Sequence, residues 1–325
     1  MAATIKDVAK LAGVSPATVS RVLAKKAVSK TLKDKVEKAI RQTGYRPNLA
    51  ARRLRAKTSD TIGLIIADIR NPFFTRFARA IDDIAKDRHQ HVILCNTDEN
   101  PVQEKNYLDL MEEENVAGII LSPTLLTSHM TTPIKISRPL IMIDRNPEVV
   151  LYDAVLIDNG QASAKLVRHL YERGRKNIVC LYGVTSSTGF QRQKGYEQAM
   201  QDLGLEPRSF PVKHTEESLQ KTLDSIFRKV DDVDALIVTN GVMAAKVAAC
   251  LKKADIAVPE KVAFAAFDDE PWMELVFNGV TTIAQPVREI ANETYHGLME
   301  RIKNPRKPVS QTVVASKLIV RGSTA

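Results

Sequence analysis

Three polar side chains near the N-terminus are spaced so that they could contact a nucleic acid. If Val19 and Val22 face inward on a helix, then Thr18, Ser20 and Arg21 face outward. Hydroxyl groups bind phosphate oxygens, and a guanidinium group matches the O6 and N7 atoms of guanine. The segment therefore predicts a short helix that presents hydrogen-bond donors at the protein surface.

Two further helices must hold that segment in place. The first begins after Thr4, a good N-cap, and ends at Gly13, where a left-handed backbone costs little. Ser15 caps the second helix, and a third is capped by Ser29 and ends at Gly44. Three helices with a short second one at the surface indicate a helix-turn-helix unit. The alternative is a small helical cap with a solvated basic face.

The charge distribution favours the nucleic-acid interpretation. Residues 1–57 contain 15 Lys and Arg but only 3 Asp and Glu, whereas the remaining residues contain 32 basic and 35 acidic side chains. Because the positive excess is confined to the first sixth of the chain, it predicts a phosphate-binding module rather than general solubility.

A predicted hinge follows this module. Tyr45-Arg46-Pro47 ends the third helix, and Asn48 is a possible N-cap for the segment 49–57. That segment favours a helix by composition but has a thin apolar face and four cations, so we expect it to order when phosphates neutralise it. A plain flexible linker is the alternative.

The rest of the chain alternates between buried strands and amphipathic helices. Continuous apolar strands are predicted at 61–68, 91–97, 116–122, 139–145, 155–158, 177–183, 234–240 and 262–268. Helices are predicted between them at 73–87, 101–114, 161–172, 193–203, 216–230 and 241–254. This alternation predicts parallel sheets with helices on both faces, arranged as two similar α/β lobes.

Several of the predicted strands end in polar residues. These are Asp68, Asp144, Arg145, Asn240, Asp268 and Asp269. Each alone is more often a loop cap than a ligand contact. Together, at the carboxyl ends of strands in both lobes, they predict a cleft for a hydroxyl-rich small molecule.

Other functional classes have little support in the sequence. Cys95, Cys180 and Cys250 lie far apart in apolar segments, which indicates reduced core residues, and the six histidines show no metal-ligand spacing. Nucleotide-binding and hydrolase motifs, a secretory signal and a membrane span are absent from the sequence. We expect a cytoplasmic protein that is not an enzyme, has no cofactor or metal, and associates with the nucleoid when bound to DNA.

Motifs along the whole chain resemble the lactose-repressor (LacI/GalR) family of bacterial transcription regulators. They are IKDVAKLAGVSPATVSRVL at 5–23, VSKT at 28–31, YRPN at 45–48, LAARRL at 49–54, IGLIIADIRNPFF at 62–74, DN at 158–159, QRQKGY at 191–196, FDD at 267–269 and TTIAQP at 281–286. The resemblance implies a helix-turn-helix head (1–47), a hinge helix and linker (48–60), and a periplasmic-binding-protein-like core (61–325). Its N-lobe would span about 61–158 plus 287–315, and its C-lobe about 159–286 plus 316–325.

The resemblance also implies which residues contact DNA and ligand. Recognition-helix positions match Pro16, Ala17, Ser20 and Arg21, with Ser15 and Thr18 nearer phosphates. The DNA-contacting set is Thr4, Ser15, Pro16, Ala17, Thr18, Ser20, Arg21, Tyr45, Asn48, Ala51 and Leu54, with Leu54 matching a minor-groove wedge. The effector set is Asn71, Phe73, Phe74, Asp144, Arg145, Arg192, Asn240, Asp268 and Gln285.

The sequence departs from the family pattern at Gly241, where the family commonly has Asp. With one fewer carboxylate and with Arg145 and Arg192 present, the cleft would favour an acidic effector such as a sugar acid or phosphosugar. An internal salt bridge from each arginine to Asp144 or Asp268 is the alternative.

The family mechanism implies a homodimer that represses a carbohydrate-utilisation operon by binding a pseudo-palindromic operator. Effector binding between the lobes would change their relative angle, and thus whether residues 48–56 fold against DNA. By linkage, DNA and effector would change each other's affinity by the same factor. The absence of leucine heptads beyond residue 303 favours a dimer over a tetramer. A periplasmic-type sugar receptor and a sugar-modifying enzyme are the competing classes.

Overall fold

The chain forms two compact units, Met1–Ser59 and Asp60–Ala325, which we call the head and the core. The computed structural model describes residues 3–23, 27–45, 59–147, 149–212, 216–229 and 232–325. Asn48, Ala51 and Leu54, which belong to the predicted hinge, lie outside the described residues.

The head contains three described helices, α1 (Ile5–Ala12), α2 (Pro16–Leu23) and α3 (Lys30–Thr43). Thr4 and Asp7 form a reciprocal capping box at the start of α1, and Gly13 ends that helix with a left-handed backbone (φ 63°). Ser15 accepts a hydrogen bond from the Thr18 backbone N–H at 3.2 Å, which caps α2. Local sequence thus determines the turn between α1 and α2.

A small apolar core joins the three helices. It consists of Val8, Ala9, Ala12, Val19, Val22, Val36 and Ala39. The prediction for Ser29 was wrong in one respect, because its backbone is extended but its side chain makes no capping hydrogen bond to α3. The packing of α3 on α1 and α2 therefore depends on apolar burial rather than on that cap.

The N-lobe of the core is built on a six-stranded parallel sheet. Its strands are β1 (Thr61–Ile66), β2 (His91–Asn96), β3 (Gly118–Leu121), β4 (Leu140–Ile143), β5 (Asp153–Ile157) and β11 (Gln311–Val314), in the order β11-β5-β4-β3-β1-β2. Its helices are α4 (Pro72–Asp87), α5 (Pro101–Glu113), α6 (Leu125–Ser128) and α11 (Val287–Lys303). Every residue of β1, β3 and β4 is buried, because apolar clusters cover both faces of the sheet.

The C-lobe repeats this architecture. Its strands are β6 (Ile178–Gly183), β7 (Arg208–Val212), β8 (Ala235–Val238), β9 (Ala263–Phe267), β10 (Thr281–Ala284) and β12 (Lys317–Ile319), in the order β12-β10-β9-β8-β6-β7. Its helices are α7 (Asn159–Glu172), α8 (Ser187–Asp202), α9 (Glu216–Lys229) and α10 (Gly241–Lys253). Apolar clusters again lie on both faces of the sheet. The fold class predicted from the sequence is confirmed.

The chain passes between the two lobes three times. The crossings lie between β5 and α7, between β10 and α11, and between β11 and β12. After the second crossing, α11 packs on the N-lobe sheet through Ile290, Tyr295 and Leu298. The carboxyl ends of strands from both sheets face a shared cleft, and residues from each lobe line it.

Some elements differ from the sequence predictions. Helix α8 begins at Ser187, six residues before the predicted start, because Ser186 caps it by accepting from the Gly189 N–H. Strands β7, β10, β11 and β12 were not predicted, since each has at most five residues and lacks a long continuous apolar run. β7, β11 and β12 are also edge strands. β12 is also antiparallel to β10. Within the described residues, no helix is long and apolar enough to cross a membrane.

A buried ion pair joins the start of β5 to α11 and to the segment that precedes β11. Asp153, 2% exposed at the start of β5, binds the Arg301 guanidinium through contacts of 2.8 and 3.0 Å. The Ser310 backbone N–H also donates to it, at 2.9 Å. Burial raises the pKa of Asp153, but the hydrogen bonds from Arg301 and Ser310 outweigh burial and hold the pKa below its ordinary value.

Replacing this carboxylate should destabilise the core. We expect Asp153→Asn to lower the free energy of unfolding by about 3–5 kcal/mol, because it leaves the Arg301 charge buried without its partner. Urea denaturation measures the change, and Asp82→Asn, which removes an exposed pair with Lys86, should cost less than about 1 kcal/mol.

The difference between Asp153→Asn and wild type should also depend on pH. A carboxyl whose folded pKa is depressed stabilises the protein above its unfolded pKa of about 3.9, and that contribution is lost as pH falls through the folded pKa. The two proteins should therefore converge in stability in strong acid. A constant difference at all pH values would contradict this account of Asp153.

Candidate functional site

The outer face of α2 presents most of the residues predicted to contact DNA. Ser15, Pro16, Ala17, Ser20 and Arg21 are exposed, and Thr18 is half-buried. Thr4 lies at the start of α1, and Tyr45 follows the end of α3. The described head therefore places one guanidinium and several hydroxyl groups on one accessible helix, which is the arrangement that major-groove recognition requires.

The core contains a cavity between the carboxyl ends of the two sheets. Its open space, counted out to its mouth, is about 600 Å³. All nine residues of the predicted effector set line this cavity: Asn71, Phe73, Phe74, Asp144, Arg145, Arg192, Asn240, Asp268 and Gln285. The structure thus brings together residues that are up to about two hundred positions apart in sequence.

Two aspartates occupy equivalent positions in the two lobes. Asp144 follows β4 and Asp268 follows β9, which occupy matching places in the two strand orders. Both residues have a left-handed backbone, with φ values of 63° and 68°. Asp tolerates this conformation better than most residues, and strained backbone of this kind often occurs at ligand sites. Each lobe therefore places one aspartate carboxylate in the wall of the cavity.

Asp268 is held by donors from two other elements. The Gly241 backbone N–H donates to Oδ2 at 2.9 Å, and Gln285 Nε2 donates to Oδ1 at 2.7 Å. Asn240 uses its own Oδ1 to cap α10, accepting from Met243 N–H at 2.8 Å. Since Asp268 is only 2% exposed, these contacts fix the direction in which its remaining lone pairs face.

Arg145 is already paired inside the cavity. Its guanidinium makes two contacts of 2.6 and 2.7 Å with Glu99, and its Nε lies 3.3 Å from Asp144 Oδ2. Burial raises the pKa of Asp144, against the attraction of Arg145 and Arg192. The internal salt bridge considered for this arginine therefore exists, and Glu99 rather than Asp144 supplies its closest contacts.

Arg192 has a different environment. Its Nε donates to Asn159 Oδ1 at 2.7 Å and its Nη1 to the Thr239 carbonyl at 2.6 Å, so both of these acceptors are neutral. Its guanidinium also stacks on the Phe267 ring, 4.2 Å from the centroid. Burial lowers the pKa of Arg192. This side chain is rigidly placed and keeps a positive charge in the cavity wall.

The apolar part of the cavity comes from the start of α4. Asn71 caps this helix by accepting from the Phe73 N–H at 3.0 Å. Phe73 and Phe74 pack edge to face, with ring centroids 5.1 Å apart, and both are 2% exposed. An aromatic surface beside carboxylates and amides is suited to the faces and hydroxyls of a sugar ring.

Seven further lining residues were not in the predicted set: Asp68, Glu99, Ser186, Thr188, Gly189, Thr239 and Val242. Asp68 was already predicted at the cleft from its place at a strand end, and Thr239 directly precedes another predicted strand end, Asn240. Ser186, Thr188 and Gly189 were missed because α8 begins earlier than predicted. Glu99 carries no local signal, since its role depends on a partner 46 residues away. The described residues contain no group of three His, Cys, Asp or Glu side chains that could hold a metal ion.

Comparison with known proteins agrees with this architecture. Residues 4–48 match the family described as "Bacterial regulatory proteins, lacI family", and residues 167–324 match "Periplasmic binding protein-like domain". The HTH-type transcriptional regulator DegA of Bacillus subtilis is 31% identical over 334 residues, covering 100% of this chain and 99% of DegA. The ribose operon repressor of Halalkalibacterium halodurans is 31% identical over 326 residues, covering 99% and 97% of the two chains.

The fold is also similar to a solved structure, that of a lac repressor dimer bound to operator and the anti-inducer ONPF. The TM-score is 0.87, with 20% identity and coverage of 100% of this chain and 99% of the other. A helix-turn-helix head joined to a two-lobe α/β core defines a DNA-binding transcriptional regulator. The chain belongs to the lacI family of bacterial regulatory proteins.

Proposed function

We propose that this regulator represses a sugar-utilisation operon and is controlled by a small carbohydrate that binds in the cavity of the core. The observation that carries this proposal is the cavity itself, which combines carboxylates, amides and an aromatic surface from both lobes. A relative that is 31% identical is named a ribose operon repressor, which supports a sugar-linked role. Such a regulator would act in the cytoplasm, at the nucleoid when bound to DNA.

Operator recognition would depend on α2. Arg21 is the side chain on its exposed face that can form a bidentate contact with guanine, while Pro16 and Ala17 can contribute only shape or contact with a thymine methyl group. Ser15 and Thr18 would contact phosphates, as would Thr4 and Tyr45. Asn48, Ala51 and Leu54 would extend the interface from the hinge.

Removing the Arg21 guanidinium should therefore weaken operator binding and reduce its sequence specificity. We expect Arg21→Ala to cost about 1–3 kcal/mol of binding to the preferred operator and to reduce discrimination at one base pair per half-site. The operator is first selected from random duplex DNA with the full-length protein, and affinity is then measured at several salt concentrations.

Arg79→Ala is the matched control, because it removes one exposed arginine from the core instead of the head. It should leave operator affinity unchanged. Wild-type affinity should fall steeply with salt, since phosphate contacts release counterions. If Arg21→Ala weakens binding to all sequences equally, then Arg21 contacts only phosphate.

The cavity favours a neutral sugar over an acidic one. The sequence-based preference for a sugar acid or phosphosugar depended on Arg145 and Arg192, and Glu99 already pairs with the first of them. In the neutral case, Asp144, Asp268 and Asn240 would bind hydroxyl groups and Phe74 would lie against the ring. The acidic effector stays a second candidate, because Arg192 retains a charge with neutral acceptors.

A thermal-shift panel should separate these effectors. The panel contains neutral pentoses and hexoses, the matching sugar acids, sugar phosphates and nucleobases. A ligand at a hundred times its Kd should add about 2.7 kcal/mol to stability, which is a shift of several degrees. We expect hits among neutral sugars, and Asp268→Asn should abolish them while Asp82→Asn should not.

If only sugar acids or sugar phosphates stabilise the protein, the neutral-sugar assignment is wrong and Arg192 is the candidate partner of the ligand's negative charge. Hits only among nucleobases would overturn the carbohydrate assignment but leave the DNA-binding role intact. Either result identifies the class of gene to examine near the operator.

We further propose that the protein acts as a homodimer, so that two heads bind the halves of one operator. A groove between α9 and α10 offers an apolar surface for a second copy. Ala245 and Ala249 are exposed along α10 and would allow close helix approach. Glu217 and Lys253 lie on the same groove, so a two-fold axis could bring opposite charges together.

Blocking this groove should dissociate the dimer. We expect Ala249→Glu to shift the sedimentation coefficient from that of a dimer to that of a monomer at micromolar concentration, and to weaken operator binding. Ala257→Glu, which alters an exposed alanine outside the groove, should do neither. A monomeric wild type would contradict the proposal, and a dimeric Ala249→Glu would show that the interface lies elsewhere.

A further inference from the structure

One arginine of the N-lobe reaches across to the C-lobe beside the cavity. Arg76 lies on α4, one turn after the two phenylalanines of the cavity wall. Its Nη1 donates to the Asp269 carbonyl at 2.7 Å and its Nη2 donates to Glu270 Oε1 at 2.8 Å. Both acceptors directly follow Asp268, so this contact joins α4 to the segment that places a cavity carboxylate.

The acceptor carboxylate is buried. The side chain of Glu270 is 5% exposed, whereas that of Arg76 is 39% exposed. Burial raises the pKa of Glu270, and Arg76 opposes that effect. A buried carboxylate that loses its cation is costly, so Glu270 favours conformations in which Arg76 is within reach.

Gly241 provides the space that this carboxylate occupies. A Cβ atom built on Gly241 would lie 3.3 Å from Glu270 Cγ and 3.2 Å from Asp268 Cβ, both tighter than ordinary contact. A larger side chain at this position would therefore press on both residues. Glu270 therefore depends on the absence of a side chain at position 241 for the place from which it reaches Arg76.

The segment that Arg76 binds is firmly attached to the C-lobe. Arg321 donates to Asp269 Oδ1 at 2.8 Å and to the Val280 carbonyl at 2.9 Å. Thr282 Oγ1 donates to the Asp268 carbonyl at 2.7 Å. Residues 268–270 are held by hydrogen bonds within their own lobe. The contact with Arg76 therefore restrains the C-lobe and not only a loop.

We propose that Arg76 is an inter-lobe clamp, a positioning residue that holds the cleft closed by binding Asp269 and Glu270 and so sets Asp268 for the effector. The ligand part of this proposal rests on the proposed function of the cavity. Another inter-lobe hydrogen bond in the described residues, from Ser187 Oγ to Ser128 Oγ, is neutral and longer, at 3.3 Å. Arg76 is therefore the stronger of these two attachments.

Hydrogen exchange of the ligand-free, full-length protein tests the clamp. We expect Arg76→Gln and Glu270→Gln each to speed amide exchange about tenfold in peptides that line the cleft in both lobes, because each removes a charge-assisted hydrogen bond that opposes opening. The informative peptide is 186–193, which lines the cavity but has no hydrogen bond to Arg76.

Three further variants sharpen this experiment. The double variant should exchange no faster than Arg76→Gln alone, because Arg76→Gln already removes the ion pair that Glu270→Gln breaks. Arg76→Lys keeps the charge but loses the two-pronged geometry, so it should give an intermediate rate. Arg79→Gln breaks an exposed pair with Asp83 on the same helix and should leave exchange unchanged.

Faster exchange confined to residues 72–80 and 268–275 would overturn the clamp and leave only a local contact. Unchanged exchange in both single variants would overturn it as well. Since no ligand is present, these outcomes are independent of the sugar panel, whose failure would count against the proposed effector and not against the clamp.

Discussion

Asp268 is a nearly buried carboxylate at the end of a fully buried strand, and such a group is stable only if donors surround it. Its partners come from the start of α10, through the Gly241 N–H, and from the second lobe crossing, through Gln285. The requirement to satisfy this one charge therefore links a strand, a helix and an inter-lobe connection. The cleft has its shape because these elements converge on the same carboxylate.

Buried charges on the N-lobe side of the cleft also require hydrogen-bond or ion-pair partners. Arg145 is 4% exposed and sits between Glu99 and Asp144. A buried guanidinium without such partners would be strongly unfavourable, so Glu99 is as much part of the cavity as the arginine. The number of arginines in a cleft thus says little about ligand charge until their internal partners are known. This balance of fixed charges is the reason why we propose a ligand that presents hydroxyl groups rather than a carboxylate.

The head and the core use different physical means for their roles. The described part of the head has a core of seven buried apolar residues, and local caps set both ends of α1. The Lys and Arg side chains that the structure describes in the head are exposed, which suits binding to phosphates. The core instead buries both faces of two sheets, and three segments connect its two lobes.

Sequence alone determined the features that depend on near neighbours. The capping box of Thr4 and Asp7, the left-handed Gly13 and the continuous apolar strands follow from interactions within a few residues, and the family resemblance identified nine of the cavity residues. Tertiary structure alone decided the pairs that join distant segments. Arg145 pairs with Glu99, 46 positions away, and Arg76 pairs with Glu270, 194 positions away. No periodicity in the sequence predicts either pair. Edge strands such as β7 and β12 likewise form because a sheet edge is available to them, not because their own residues require it.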